Sequence, residues 1–179
     1  MNAMVFLIST IFNLYLMVVL LRFWLQLSKA DFYNPLSQFV VKATHPLIGP
    51  MRRIIPSVGS IDVATLILAL LVAMGKYLAL SLLLGGNINP LGMIIIGALS
   101  VLKEFLTLVF WVLIMRAILS WVSQGGSPFE YVLHQLTEPL LSPIRRVLPP
   151  MGGMDLSVLV AIIGLKFVEM LLADFLPFY

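Results

Sequence analysis

The chain has 179 residues and a formal net charge of +3, with 61% of its residues apolar and only 11% charged. At a mean hydropathy of +1.08 it holds too few charges to cover a soluble globule of this size, so a membrane location follows. With no cysteine and two histidines, His45 and His134, it excludes disulfides, thiolate metal sites, cysteine nucleophiles and a histidine-rich metal centre.

The first apolar run, from about Val5 to Leu27, is interrupted only by Arg22 and is long enough to cross a ~30 Å hydrocarbon layer. Its length, and the lack of a basic stretch before it, distinguish it from a cleavable signal peptide despite the small residues of Ser28-Lys29-Ala30. A proline-punctuated basic segment follows over 31–59, with apolar residues at three- and four-residue steps, the pattern of an amphipathic helix at a membrane surface. Because Pro46, Pro50 and Pro56 do not fit one straight helix, two short helices are expected, the first from about Pro35. A break near Thr44 would let that residue cap the second, with Pro46 in its first turn.

The second span, about 62–84, contains Lys76, and a turn over 85–90 follows it. The next apolar run, 91–122, would be ~48 Å long as one helix, more than a crossing needs. The third span is therefore placed at about 98–122, with 91–97 as a helical extension or interfacial lead-in. A second amphipathic segment occupies 124–153, and the fourth span about 155–175.

One stretch occurs twice. Thr44, Pro46, Pro50, Arg52, Arg53, Pro56, Gly59 and Asp62 recur as Thr137, Pro139, Pro143, Arg145, Arg146, Pro149, Gly152 and Asp155, all at an offset of 93. Two tandem repeats result, 1–86 and 98–179, joined by a linker and lead-in over 87–97. The fold class is an all-α membrane protein with four transmembrane helices in two parallel repeats, each a span, amphipathic surface helices and a span. A pseudo-two-fold axis along the membrane normal would relate the repeats.

The paired T-x-P-L-x-x-P-x-R-R-x-x-P…G-x-x-D blocks resemble the YggT family, also called YlmG, of small bacterial and plastid membrane proteins. The resemblance covers nearly the whole chain. It implies a four-span inner-membrane protein without established enzymatic activity. Bacterial relatives are associated with ion and osmotic homeostasis, and plastid relatives with cofactor assembly and nucleoid organisation.

Lys29, Lys42, Arg52, Arg53, Arg145 and Arg146 follow spans one and three, whereas the connection over 85–90 and both termini lack lysine and arginine. By the positive-inside rule both termini face the periplasm. The arginine pairs suit contact with anionic lipid headgroups or a protein partner, or pairing with Asp62 and Asp155. Those two aspartates stand where a carboxylate caps the next helix, with a cation site as the rival reading.

Within the spans, Lys76, Lys103, Glu104, Lys166 and Glu169 carry charges that are costly against lipid and so are expected to face inward, as register-locking pairs or as an ion pathway. Repeat symmetry suggests a Lys76–Glu169 pair. Arg22 and Arg116 are expected to snorkel to the headgroups. His45 and His134 occupy inequivalent positions and read as solvated surface residues. Ala69, Ala73, Gly97 and Gly164 offer close helix approach, in a homo-oligomer among other settings. No catalytic, cofactor or metal motif occurs, so no enzyme and no nucleic-acid partner is expected. The functional expectation is an accessory or scaffold protein in potassium or osmotic homeostasis. Its rivals are an ion channel or transporter component using the outer-half charges, and an assembly factor for a membrane complex.

Overall fold

The first apolar run forms α1 (Ala3–Leu27). It ends where Lys29 takes the left-handed region at φ 52, letting the Ala30 N–H reach the Leu25 carbonyl at 2.9 Å and the Lys29 N–H reach Gln26 at 3.1 Å. These crossed bonds satisfy carbonyls that the helix end would leave open. The computed structural model describes residues 3–86, 88–122, 126–148 and 156–175.

The amphipathic segment departs from the expected pair of short helices. It is one continuous helix, α2 (Pro35–Ile54), with Pro46 and Pro50 inside it. Asn34, not Thr44, is the cap: its side chain accepts from the Leu36 N–H at 2.9 Å. Thr44 lies buried mid-helix, its hydroxyl donating back to the Val40 carbonyl at 2.7 Å. Such back-bonding bends a helix, and here it occurs just before Pro46, where the backbone must bend in any case. The prolines therefore lie within α2 without breaking it. The second segment repeats this as α5 (Pro128–Val147), capped by Ser127, with Pro139 and Pro143 inside.

After Ile55 the chain extends through Pro56, as expected, and reverses in a tight turn in which Val58 and Ile61 exchange backbone hydrogen bonds, both 3.1 Å. Gly59 supplies the left-handed position, φ +63. The turn delivers Asp62 to the start of α3 (Val63–Leu84), where it caps the helix. This gives the Gly59-to-Asp62 spacing its physical reason. Pro149, Gly152 and Asp155 lie outside the described residues.

The long third run is a single helix, α4 (Pro90–Val122, 33 residues), so the lead-in is a helical extension. The last described helix is α6 (Leu156–Phe175). Four helices, α1, α3, α4 and α6, are long and apolar enough to cross a membrane. The protein is an all-helical membrane protein, and no strand occurs among the described residues.

α1 packs on α3 and α4, α3 on α4, and α6 on α4 and α5. The shared core includes Leu16, Val19, Leu20, Leu68, Val72, Val112 and Leu113. Trp24 belongs to it and meets Phe105 of the other repeat edge-on, ring centroids 5.8 Å apart. α1 against α4, and α2 against α5, are the pairings that a two-fold axis maps onto themselves. The α3–α4 seam breaks that symmetry, because no comparable α1–α6 packing occurs among the described residues. Ala69, Ala73 and Gly97 are used within the chain: the two alanines are buried, and a Cβ at Gly97 would meet Met74 at 3.0 Å and Leu70 at 3.2 Å. Gly164 faces open space.

Gly97→Leu would overpack the α3–α4 seam and should lower stability by ~1–3 kcal/mol. Thermal unfolding of the purified protein in detergent checks this, with Gly164→Leu expected to leave the midpoint unchanged.

Candidate functional site

Polar side chains gather at the end of the bundle where α2 and α5 lie. Arg22, near the end of α1, is buried rather than snorkelling. Its guanidinium donates to the Thr44 hydroxyl at 2.7 Å and to the Val41 carbonyl at 3.3 Å, on the α2 turn ahead of Pro46. In the second repeat Arg116 donates to the Thr137 hydroxyl, which bonds back to the Leu133 carbonyl at 2.7 Å. Each repeat thus pins its amphipathic helix to the preceding span through an arginine–threonine bond. A motif threonine and an arginine outside the motif are the same interaction.

Arg52 completes the joint in the first repeat. Its guanidinium reaches the Gln26 side chain at 2.7 Å and the Asp62 carboxylate, tying the ends of α1 and α2 to the start of α3. Pairing of this kind was expected for the arginines and Asp62, and Arg52 supplies it, while Arg53 stays exposed. As α2 advances from Thr44 to Arg52, its α1 partner shifts only from Arg22 to Gln26. Two helices lying side by side would keep step, so α2 crosses the foot of α1. Burial would raise the Asp62 carboxyl, but hydrogen bonds from Arg52 and Thr65 outweigh it and hold the carboxyl below its ordinary value.

In the second repeat Glu138 stands where the first has His45. Its carboxylate accepts from Arg145 at 3.1 Å, with Arg116 at 3.6 Å and His134 at 3.4 Å. Arg146 is exposed. The expected partnership of the arginine pair with Asp155 falls outside the described residues.

The two repeats also touch here. Asn34 donates to the Pro128 carbonyl at 2.5 Å, and the Asp31 N–H to the Gln135 side chain at 2.9 Å. Between the starts of α2 and α5 opens a cleft of about 630 Å³, whose walls include Tyr33, Glu130, Tyr131 and His134. A second groove, about 420 Å³, runs along α2 past His45, Gly49 and Arg53.

Toward the opposite end lie the other charges. Lys76 donates to Asn13 of α1 at 2.8 Å, and Glu169 pairs with Lys166 one turn away at 2.6 Å. The expected Lys76–Glu169 pair is therefore not formed: Lys76 faces the α1 seam, and Glu169 already has its cation on α6. Lys166 also sits 4.2 Å over the Phe110 ring of α4. Glu104 of α4 interacts electrostatically with Lys76 and with its neighbour Lys103. No group of three or more potential metal ligands occurs among the described residues.

Because Arg22 and Thr44 touch, Arg22→Met and Thr44→Val should each destabilise, and a double-mutant cycle should return a coupling of ~0.5–3 kcal/mol. The corresponding cycle for Lys76→Met and Glu169→Gln should return a coupling near zero. A depressed carboxyl adds stability at neutral pH that is lost as pH falls through its folded-state value. Acid unfolding of Asp62→Asn in detergent should accordingly show a shallower loss of stability below the ordinary carboxylate range.

The family model described as CCB3/YggT matches residues 1–83 and 95–176. An uncharacterized protein of Vibrio alginolyticus is 58% identical over 176 residues, covering 97% of this chain and 95% of the relative. The uncharacterized protein YggT of Escherichia coli K12 is 50% identical over 177 residues, covering 98% of this chain and 92% of the relative. An uncharacterized protein of Pseudomonas aeruginosa is 44% identical over 176 residues, covering 97% and 89%. No solved structure matches the chain. With a family model covering both halves and relatives matched along nearly their full length, the chain belongs to the CCB3/YggT family.

Proposed function

We propose that this protein is a non-enzymatic accessory or scaffold protein of the bacterial inner membrane, acting in potassium or osmotic homeostasis. The end bearing α2 and α5 faces the cytoplasm and both termini face the periplasm, because Lys29, Lys42, Arg52, Arg53, Arg145 and Arg146 all belong to that end. The homeostatic setting follows the family resemblance. The scaffold reading follows the distribution of polar groups.

One observation carries it. Between the joint at Arg22, Thr44, Arg52 and Asp62 and the Lys76–Asn13 contact lies a layer of buried apolar side chains, Leu16, Val19, Leu20, Leu68 and Val72. An ion crossing the single chain along the α1–α3 seam would be stripped of water across that layer with no polar group to replace it. The charges near the other end have local partners: Lys76 joins Asn13 across α3 and α1, and Glu169 has Lys166 on its own helix. Arg53 and Arg146, by contrast, are exposed at equivalent places on two rigidly pinned helices. That arrangement presents a pair of guanidinium groups to a partner protein.

In cells lacking the native copy, Arg53→Glu with Arg146→Glu should insert normally yet fail to restore growth under potassium or osmotic stress, whereas Lys76→Met should restore it. In sealed liposomes with verified insertion, the purified protein should pass potassium, sodium and protons no faster than empty vesicles. Flux that disappears in Lys76→Ala, Glu169→Ala while the protein stays folded would instead assign a conduction path to those charges.

A further inference from the structure

The two repeats treat the same face of their second span differently. In the first repeat the N-terminal part of α4 lies on α3, with Gly97 seated against Leu70 and Met74. The motif offset of 93 carries those two residues to Ile163 and Phe167 of α6, which are 60% and 61% exposed. Between them in sequence stands a third position of this face. In α3 it is Ala73, buried, and in α6 it is Lys166, exposed halfway along a 20-residue span.

Lipid is a poor cover for such a face. A lysine at the middle of a membrane helix is costly against hydrocarbon. Glu169 balances its charge and the Phe110 ring lies near its ammonium, yet 48% of the side chain remains open to the outside.

The first repeat shows which surface fits. On α4 the row that continues from Gly97 is Val101, Glu104 and Leu108, at steps of four, three and four residues. Arg22 and Arg116 make the same bond in the two repeats and align α1 with α4 at an offset of 94, which is 116 less 22. The counterpart row on α1 is therefore Ala3, Leu7, Thr10 and Leu14. Ala3 keeps a small side chain at the place of Gly97, and Ala3, Leu7 and Leu14 are exposed. Both halves of a second seam thus exist and stand open, because α1 and α6 of one chain do not pack on each other as α3 and α4 do.

We infer that α6 of each copy seats on α1 of a second copy of this chain, rebuilding between chains the seam that α3 and α4 form within one. A two-fold axis along the membrane normal lets each copy offer its α6 and its α1 at once, so no half-seam stays open and assembly stops at two. Ala3 lets Ile163 and Phe167 approach as Gly97 does for Leu70 and Met74. Thr10 takes the place of Glu104, which interacts electrostatically with Lys76 across the α3–α4 seam. Its hydroxyl donates to the Phe6 carbonyl at 2.8 Å, leaving the oxygen to accept from the Lys166 ammonium of the other copy. The dimer uses neither Arg53 nor Arg146, so it stands apart from the scaffold reading.

The chain contains no cysteine, so introduced ones report alone. Two differently tagged full-length copies, one with Phe167→Cys and the other with Ala3→Cys, are expressed together and oxidised in native membranes. A disulfide-linked species carrying both tags is expected, and Leu71→Cys on the exposed side of α3 should form none with Ala3→Cys. No linkage between tags, equal linkage from Leu71→Cys, or a link confined to single chains when both cysteines are in one copy would each overturn the inference. In liposomes, energy transfer between labelled copies of the purified protein should fall on dilution with lipid along a two-copy equilibrium. Ile163→Ala with Phe167→Ala should weaken that equilibrium at least tenfold, with the thermal midpoint of the diluted protein unchanged, since both side chains are exposed in the single chain. Gly164→Leu, at the position equivalent to exposed Leu71, should leave it unchanged. An equilibrium insensitive to the double alanine variant, or equally weakened by Gly164→Leu, would place the contact elsewhere and overturn the assignment.

Discussion

A guanidinium buried at the foot of a membrane span dictates much of what surrounds it. Arg22 has five donors and almost no access to solvent, so its partners must come from the protein. The nearest suitable groups are the Thr44 hydroxyl and the Val41 carbonyl, and bringing them within reach lays α2 across α1. The same contact holds α2 against α1 on the turn just ahead of Pro46, where the missing proline N–H leaves the Lys42 carbonyl without its helical donor. Once α2 is pinned at its middle, its last turn carries Arg52 to the start of α3, where the Gly59 turn has placed Asp62. Cap, turn and bend are parts of one joint.

The second repeat keeps the central bond of this joint and changes its surroundings. Arg116 and Thr137 reproduce the central bond, which is the part that holds a bent helix against its span. What differs is peripheral. His45 gives way to Glu138, which gathers Arg116, Arg145 and His134 into a local charge network. Lys76 is answered by Asn13 across α1 and α3, while its counterpart Glu169 is answered by Lys166 on its own helix. Both halves thus share the arginine–threonine connection and differ in the chemistry of the positions around it. A structure held by paired joints tolerates such divergence because neither outward face is needed to keep the helices in place.

The spans and the repeat were legible because hydrophobic run length and exact internal spacing are local signals. The capping role of Asp62 and its pairing with Arg52 were legible for the same reason, since glycine, aspartate and arginine all lie within one short segment. The continuity of α2 was not. Proline rules describe an isolated helix, and this one packs on α1 through Arg22, a residue 22 positions from its threonine partner. A signal did exist, because Arg22 and Thr44 recur together as Arg116 and Thr137, and a charge in a span that repeats with a motif hydroxyl is a candidate contact. The Lys76–Glu169 pairing failed for a different reason. Symmetry relates positions, not partners, and the close α3–α4 seam that Gly97 permits breaks the symmetry where those charges lie.

That seam also bears on what the bundle can do. Extending α4 to 33 residues lets its first turns lie along α3 and bring Lys103 and Glu104 to the neighbourhood of Lys76. The apolar layer of Leu16, Leu20, Leu68 and Val72 separates these charges from the joint at the other end. The membrane interior of the single chain is thus occupied by packing and register. Chemistry left without internal employment lies on α2 and α5, at Arg53 and Arg146. On the scaffold reading proposed above, a protein whose buried polar groups hold these two helices against the spans has its working surface there.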